Sequence, residues 1–169
     1  MAGSLILLHG ASSSGKSTLG RALQPALPQP FLFFSLDLFR FGPVLPRDVN
    51  GQLRDWADIR PQVLNGFYRC LPALLEAGNH LVAELILENA EQARQLEDVL
   101  RGYDVYRVGL LCPPEELERR EQARGDRRLG DARRDAATVH TFMTYDLHLN
   151  CAAPLEENVA RVVTGWQSR

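Results

Sequence analysis

The chain has 169 residues (18.9 kDa), of which 45% are apolar and 24% charged, with a formal net charge of −2. Such a chain can bury roughly 70% of its unfolded surface without a metal or disulfide staple, and one domain over residues 1–169 is expected. No excess of positive charge argues for a nucleic-acid or membrane partner, and apolar runs such as Leu5 to Leu8 fall far below the ~20 residues that span a bilayer.

Ser4 to His9 reads as a short buried strand running into Gly10-Ala11-Ser12-Ser13-Ser14-Gly15, and a helix is expected from Lys16 until before Pro25 and Pro28. Phe31 to Leu36 is a second strand candidate closing on Asp37, followed by an irregular stretch to about Asp55. A long helix is expected from Pro61 to Glu76, kinked or broken at Pro72 and stopped by Gly78. Strand candidates follow at Leu81 to Leu87, Val105 to Cys112 and Asp146 to Asn150. Helices are expected at Asn89 to Arg101, Pro113 to Ala123, Asp131 to Met143 and Pro154 to Trp166. Strands alternating with helices predict a three-layer α/β domain with a parallel sheet.

The start of the chain lacks the positive region and long apolar core of a secretion signal. Cys70, Cys112 and Cys151 are odd in number and far apart, which fits neither a disulfide framework nor a zinc site and points to a reducing, cytoplasmic setting.

Residues 10–17 satisfy the phosphate-binding pattern G-x-x-x-x-G-K-[ST]. The pattern arises by chance in roughly one of two hundred chains of this length, and here it also sits between a strand and a helix, as its physics requires. Gly10 and Gly15 permit positive φ and close backbone approach, so that successive amides form an anion nest. The helix N-terminus lies behind the phosphates, Lys16 reaches the β- and γ-phosphates, and Ser17 is placed to ligate Mg²⁺. The expected nucleotide-binding residues are Gly10, Ala11, Ser12, Ser13, Ser14, Gly15, Lys16, Ser17 and Thr18. Lys16 is the only lysine beside 18 arginines.

Three further features bear on the reaction. Asp37 ends the second strand candidate, on the sheet edge that faces ligands in open α/β folds; it reads either as the base for a substrate hydroxyl or as a helix cap. Glu84 breaks an apolar strand, which is costly without a partner, and reads either as an acid near the metal or as a solvent-facing strand end. Residues 119–134 hold seven arginines and two glycines. They read as a mobile lid that excludes water and stabilises charge on the transferring group, with a solvated helix face or an RNA-binding patch as alternatives. Phe39 and Phe41 are candidate acceptor-pocket residues, and His140 and His148 are assigned no role.

The segments GASSSGKS, FLFFSLD, HLVAELIL, RREQARGDRRLG and TVHTFMTYDLHLN, with His140, Tyr145 and Asp146 in the last, resemble the chloramphenicol phosphotransferase-like P-loop kinases. The likeness runs from about Ser4 to Trp166. It implies a five-stranded parallel sheet and ATP-dependent transfer of the γ-phosphoryl group to a hydroxyl of a small molecule. Carried over by position, Asp37 matches the general base, Lys16 and Ser17 the nucleotide loop, Arg124 and Arg127 the lid arginines, and Glu84 the acid ending the third strand. The stretch Phe41-Gly42-Pro43-Val44-Leu45-Pro46 departs from the family on the acceptor side.

The expected function is therefore a cytoplasmic O-phosphotransferase using Mg·ATP, with chloramphenicol or a related antibiotic as acceptor. Catalysis is assigned to Asp37, Lys16, Arg124 and Arg127, and the metal to Ser17 and Glu84. A metabolic kinase of the same fold, a nucleotide-gated binding module and a bare ATPase are the alternatives. A charged acceptor would need basic residues near Asp37, where Arg40 and Arg47 lie close in sequence. The preference for ATP over GTP and any homo-oligomer are left open by the sequence.

Overall fold

The computed structural model describes residues 2–53, 56–124 and 130–169. In chain order the elements are β1 (Ser4–His9), α1 (Lys16–Ala26), β2 (Phe31–Ser35), α2 (Leu36–Phe41), α3 (Trp56–Glu76), β3 (His80–Leu85) and α4 (Ala90–Leu100). There follow β4 (Asp104–Leu111), α5 (Pro114–Arg124), α6 (Asp131–Thr138), a 3₁₀ turn (Val139–Thr141), β5 (Leu147–Asn150) and α7 (Leu155–Gln167). The five strands form one parallel sheet in the order β2-β3-β1-β4-β5.

Helices cover both faces, which explains the unbroken apolar run of the central strand. Leu5 and Leu7 pack with Leu64, Phe67 and Leu71 of α3 and Leu96 of α4. Ile6 and Leu8 point the other way, toward Leu19 and Leu23 of α1 and Val162 of α7. All strands end on one edge, and β1 ends at a switch point between β3 and β4, where such sheets bind ligands.

Several boundaries differ from expectation. Helix α1 does not stop before Pro25 but carries it in its last turn, one residue before the end, so that the break in the hydrogen-bond ladder falls where the helix is already finishing. Helix α3 begins five residues before Pro61 and contains both Pro61 and Pro72. Its buried stripe of Leu64, Phe67, Tyr68, Leu71 and Leu75 outweighs the proline penalty. Strand β2 ends at Ser35, and Asp37 stands in the first turn of α2, capped by Ser35 Oγ, which accepts from the Asp37 amide at 3.1 Å. Asp37 is therefore not itself the cap. Helix α6 ends at Thr138 rather than continuing to Met143.

The expectation of unpaired cysteines is also corrected. Cys112 and Cys151 follow the adjacent strands β4 and β5, which bring their Cα atoms to 5.1 Å, and the two are disulfide-bonded. Their separation of 39 residues hid this in the sequence. Cys70 is a half-buried thiol. The cysteines thus no longer argue for a reducing compartment. Among the described residues, no helix is long and apolar enough to cross a membrane.

Candidate active site

The loop after β1 has the curvature its sequence implies, with one difference. Gly15 takes φ 98° as it leads into α1, and Ser13, without being glycine, takes φ 62°. Gly10 is not left-handed; it is required by closeness, since a Cβ there would lie 2.7 Å from the Leu110 carbonyl oxygen. Lys16 is buried, and its Nζ donates to the carbonyls of Gly10 (2.8 Å) and Ala11 (2.6 Å), turning the ammonium back over the loop. The Ser13 hydroxyl is buried and has no hydrogen-bond partner among the described residues, the kind of atom a phosphate oxygen would satisfy.

Glu84 is not a solvent-facing strand end. It is 5% exposed and accepts hydrogen bonds from Ser17 Oγ (2.8 and 2.9 Å) and Ser35 Oγ (2.7 Å). Sheet register brings this about, because Glu84 pairs with Leu8 on one side and Ser35 on the other. The hydroxyl donors satisfy a carboxylate that burial would otherwise penalise. Ser17 and Glu84 offer only hard oxygen donors, the type Mg²⁺ prefers.

A cavity opens in front of the loop, lined by Ser13, Lys16, Ser17, Glu84 and Asp37 and walled by Arg40, Trp56, Arg60, Leu64, Ile86 and Glu88. Arg60 pairs with Glu88 at 2.5 Å, and the Arg40 guanidinium lies over the Trp56 ring, 5.5 Å from its centroid. Arg47 is not part of this wall; it donates to the carbonyls of Gly51 and Arg40 and fastens the preceding turn. Phe39 belongs to the core, edge-on to Phe34 and Phe67. Phe41 lines a second cavity, which meets Asp37 from the side of α1. Trp56, Arg60 and Glu88 escaped the sequence reading because helix α3 and the end of β3 deliver them from far along the chain.

On the opposite side of the loop, Arg120 of α5 donates to the carbonyls of Ser14 (3.3 Å) and Cys151 (3.0 Å). Its Nε is held by Glu116 at 2.6 Å. The guanidinium groups of Arg119 and Arg120 push the Glu116 carboxyl down to about 2, so that it stays ionised. A cleft beside Arg120 is walled by Gly15, Thr18, Leu110, Ala153 and Leu155. Arg120 stood among seven arginines with nothing to single it out. Arg119 and Arg133 pair with Glu116 and Glu118 as on a solvated helix face. Arg124 closes the backbone of α5; its side chain, and Arg127 altogether, lie outside the described residues. Glu121 accepts from the Gly130 amide at 2.7 Å, and Asp135, whose carboxyl burial pushes up, accepts from the Ser12 amide at 3.4 Å.

Behind the loop, His9 is fully buried. Burial, aided by the charge of Lys16, pushes its imidazole down to about 3, so it is neutral at physiological pH. The unfolded chain takes up this proton near pH 6.5 and the native state does so only near 3. The resulting stabilisation is complete above 6.5 and is lost as the pH falls toward 3. Denaturant titrations at pH 7.5 and 5 should therefore show a loss of about 2 kcal/mol that His9→Asn lacks; an equal loss in both proteins would contradict a neutral native His9.

Residues 3–167 match the family described as chloramphenicol phosphotransferase-like protein. The chain belongs to this family. Membership carries the enzyme class, an ATP-dependent kinase acting by phosphoryl transfer, as the resemblance implied. A Mycobacterium tuberculosis protein named "Putative O-phosphotransferase Rv2636" is 29% identical over 94% of this chain and 80% of its own length. Solved structures share the fold at lower identity. The Mycobacterium tuberculosis APS kinase CysC in complex with AMPPNP and APS superposes with a TM-score of 0.71 at 18% identity, covering 98% of each chain. A Deinococcus radiodurans tunicamycin resistance protein does so at 0.65 and 15%, covering 97% of this chain and 96% of its own. A Sinorhizobium meliloti gluconokinase gives 0.60 and 17%, covering 99% and 93%.

Proposed function

We propose that this member of the chloramphenicol phosphotransferase-like family transfers the γ-phosphoryl group of Mg·ATP to the hydroxyl of an uncharged small molecule, chloramphenicol or a related antibiotic. The observation that carries the reading is the single cavity that joins Lys16, Ser17 and Glu84 to Asp37. The loop amides and Lys16 hold the phosphates, while the cleft beside Arg120 takes the rest of the nucleotide. Ser17 and Glu84 hold Mg²⁺, which supplies charge neutralisation on the phosphates. Asp37 accepts the proton of the acceptor hydroxyl as that oxygen is brought in line. Arg124 and Arg127 are the proposed lid arginines, within a lid of about 119–134 on one domain. Because the donor is ATP, a cytoplasmic location is part of the reading.

The wall beyond Asp37 supports an uncharged acceptor. Arg60 pairs with Glu88, Arg40 and Asp37 line the same cavity with opposite charges, and Trp56 and Leu64 add apolar surface. An acceptor with its own carboxylate or phosphate would need cations in excess, and among the described residues the cavity is lined by as many acids as bases. Acceptor-dependent ADP release, measured over a panel of chloramphenicol, other neutral alcohols, nucleosides and sugar acids, tests this. Stimulation by neutral alcohols is expected; stimulation by the anionic acceptors alone would favour a metabolic kinase, and an acceptor-independent rate would favour a bare ATPase.

A further inference from the structure

His9, Tyr145 and His140 make one continuous chain behind the phosphate loop. The Leu87 amide donates to His9 Nε2 at 3.0 Å, His9 Nδ1 lies 2.6 Å from Tyr145 Oη, and Tyr145 Oη lies 2.8 Å from His140 Nδ1. An amide can only donate, so Nε2 of His9 is the acceptor and its proton sits on Nδ1. His9 therefore donates to the phenol oxygen, which leaves the phenol proton for His140 Nδ1. Both imidazoles must be neutral for this order, and burial lowers the basicity of each.

The chain has a built place in the fold. Gly109 pairs in register with His9 on β4, and a Cβ there would lie 2.7 Å from the Tyr145 ring. The ring thus stacks near His9, at 5.9 Å between centroids, only because this strand position is bare. At the far end, Val139, next to His140, packs on Ala11 of the loop and Leu117 of α5. His9 directly precedes Gly10, whose carbonyl receives the Lys16 ammonium.

We propose that Tyr145 and His140 are positioning residues for nucleotide binding: through His9 they fix the Gly10 carbonyl, and with it Lys16, against the 3₁₀ turn that follows the arginine-rich segment. The inference rests on the nucleotide reading of the loop given above. It explains why a tyrosine and a histidine five residues apart, remote from the loop in sequence, are both spent on its rear face.

The test is the affinity of the whole chain for Mg²⁺ and the fluorescent analogue mant-ATP, with the thermal midpoint measured in parallel. Tyr145→Phe keeps the ring over Gly109 and removes both hydrogen bonds; about tenfold weaker binding is expected, the part of that loss felt at the nucleotide. His140→Ala should weaken binding comparably, and the double variant little further, since the chain acts as a unit. His140→Asn, which restores an acceptor for the phenol, should recover affinity to within about threefold of wild type. Should Tyr145→Phe not fold, the contrast between His140→Ala and His140→Asn carries the same test. Variants with a lowered midpoint but wild-type affinity would overturn the proposal, as would an alanine and an asparagine variant that bind alike. Wild-type protein that binds no mant-ATP would instead overturn the nucleotide reading and this inference with it.

Discussion

Lys16→Met should reduce turnover by about 10²–10³ and weaken nucleotide binding, because it removes the cation aimed at the phosphates while keeping most of the apolar stem. The ammonium is buried and bonded to two loop carbonyls. Its removal also leaves the carbonyls of Gly10 and Ala11 without that donor, and the loop is expected to relax. Lys16→Arg preserves the charge but should recover little. A planar, branched guanidinium does not fit where a compact ammonium folds back on the loop within 2.8 Å of both carbonyls. Turnover by the arginine variant close to wild type would mean that charge alone, without this geometry, suffices.

Asp37→Asn should abolish transfer while leaving nucleotide affinity within about twofold of wild type, with a loss of ~10²–10⁴ in kcat, the usual worth of a general base. Asp37 lines the cavity from the first turn of α2, whereas the loop is held by Lys16 on the Gly10 and Ala11 carbonyls and by Ser17 on Glu84. Its removal should therefore be felt at the acceptor and not at the donor. Wild-type turnover in the asparagine variant would remove Asp37 as base. Equal loss of nucleotide affinity and of turnover would make it part of the phosphate site instead.

Much of this was legible in the residues themselves. The pattern of residues 10–17 specifies the loop because its demands are local: two glycines at fixed spacing, one ammonium, one hydroxyl. The parallel sheet was legible because strands buried on both faces read as continuous apolar runs, and Leu5 to Leu8 is buried on both. What the sequence hid was what the sheet brings together. Glu84 meets Ser35 by register and Ser17 through the loop and helix that follow its other neighbour, β1, and Cys112 meets Cys151 because β4 and β5 are neighbours. Arg60 and Trp56 reach the acceptor wall on a helix whose two prolines argued against its length. The chain from His9 to His140 was hidden for a different reason, since a buried neutral histidine and a bare glycine opposite it carry no signal of their own.

The central claim, that the loop after β1 is a nucleotide-phosphate site, is tested most directly by calorimetric titration of the wild-type chain with Mg·AMPPNP. One site per chain is expected, with a dissociation constant between about 1 μM and 1 mM that Lys16→Met weakens at least tenfold. No heat of binding for the wild type, or equal binding by wild type and Lys16→Met, would contradict it.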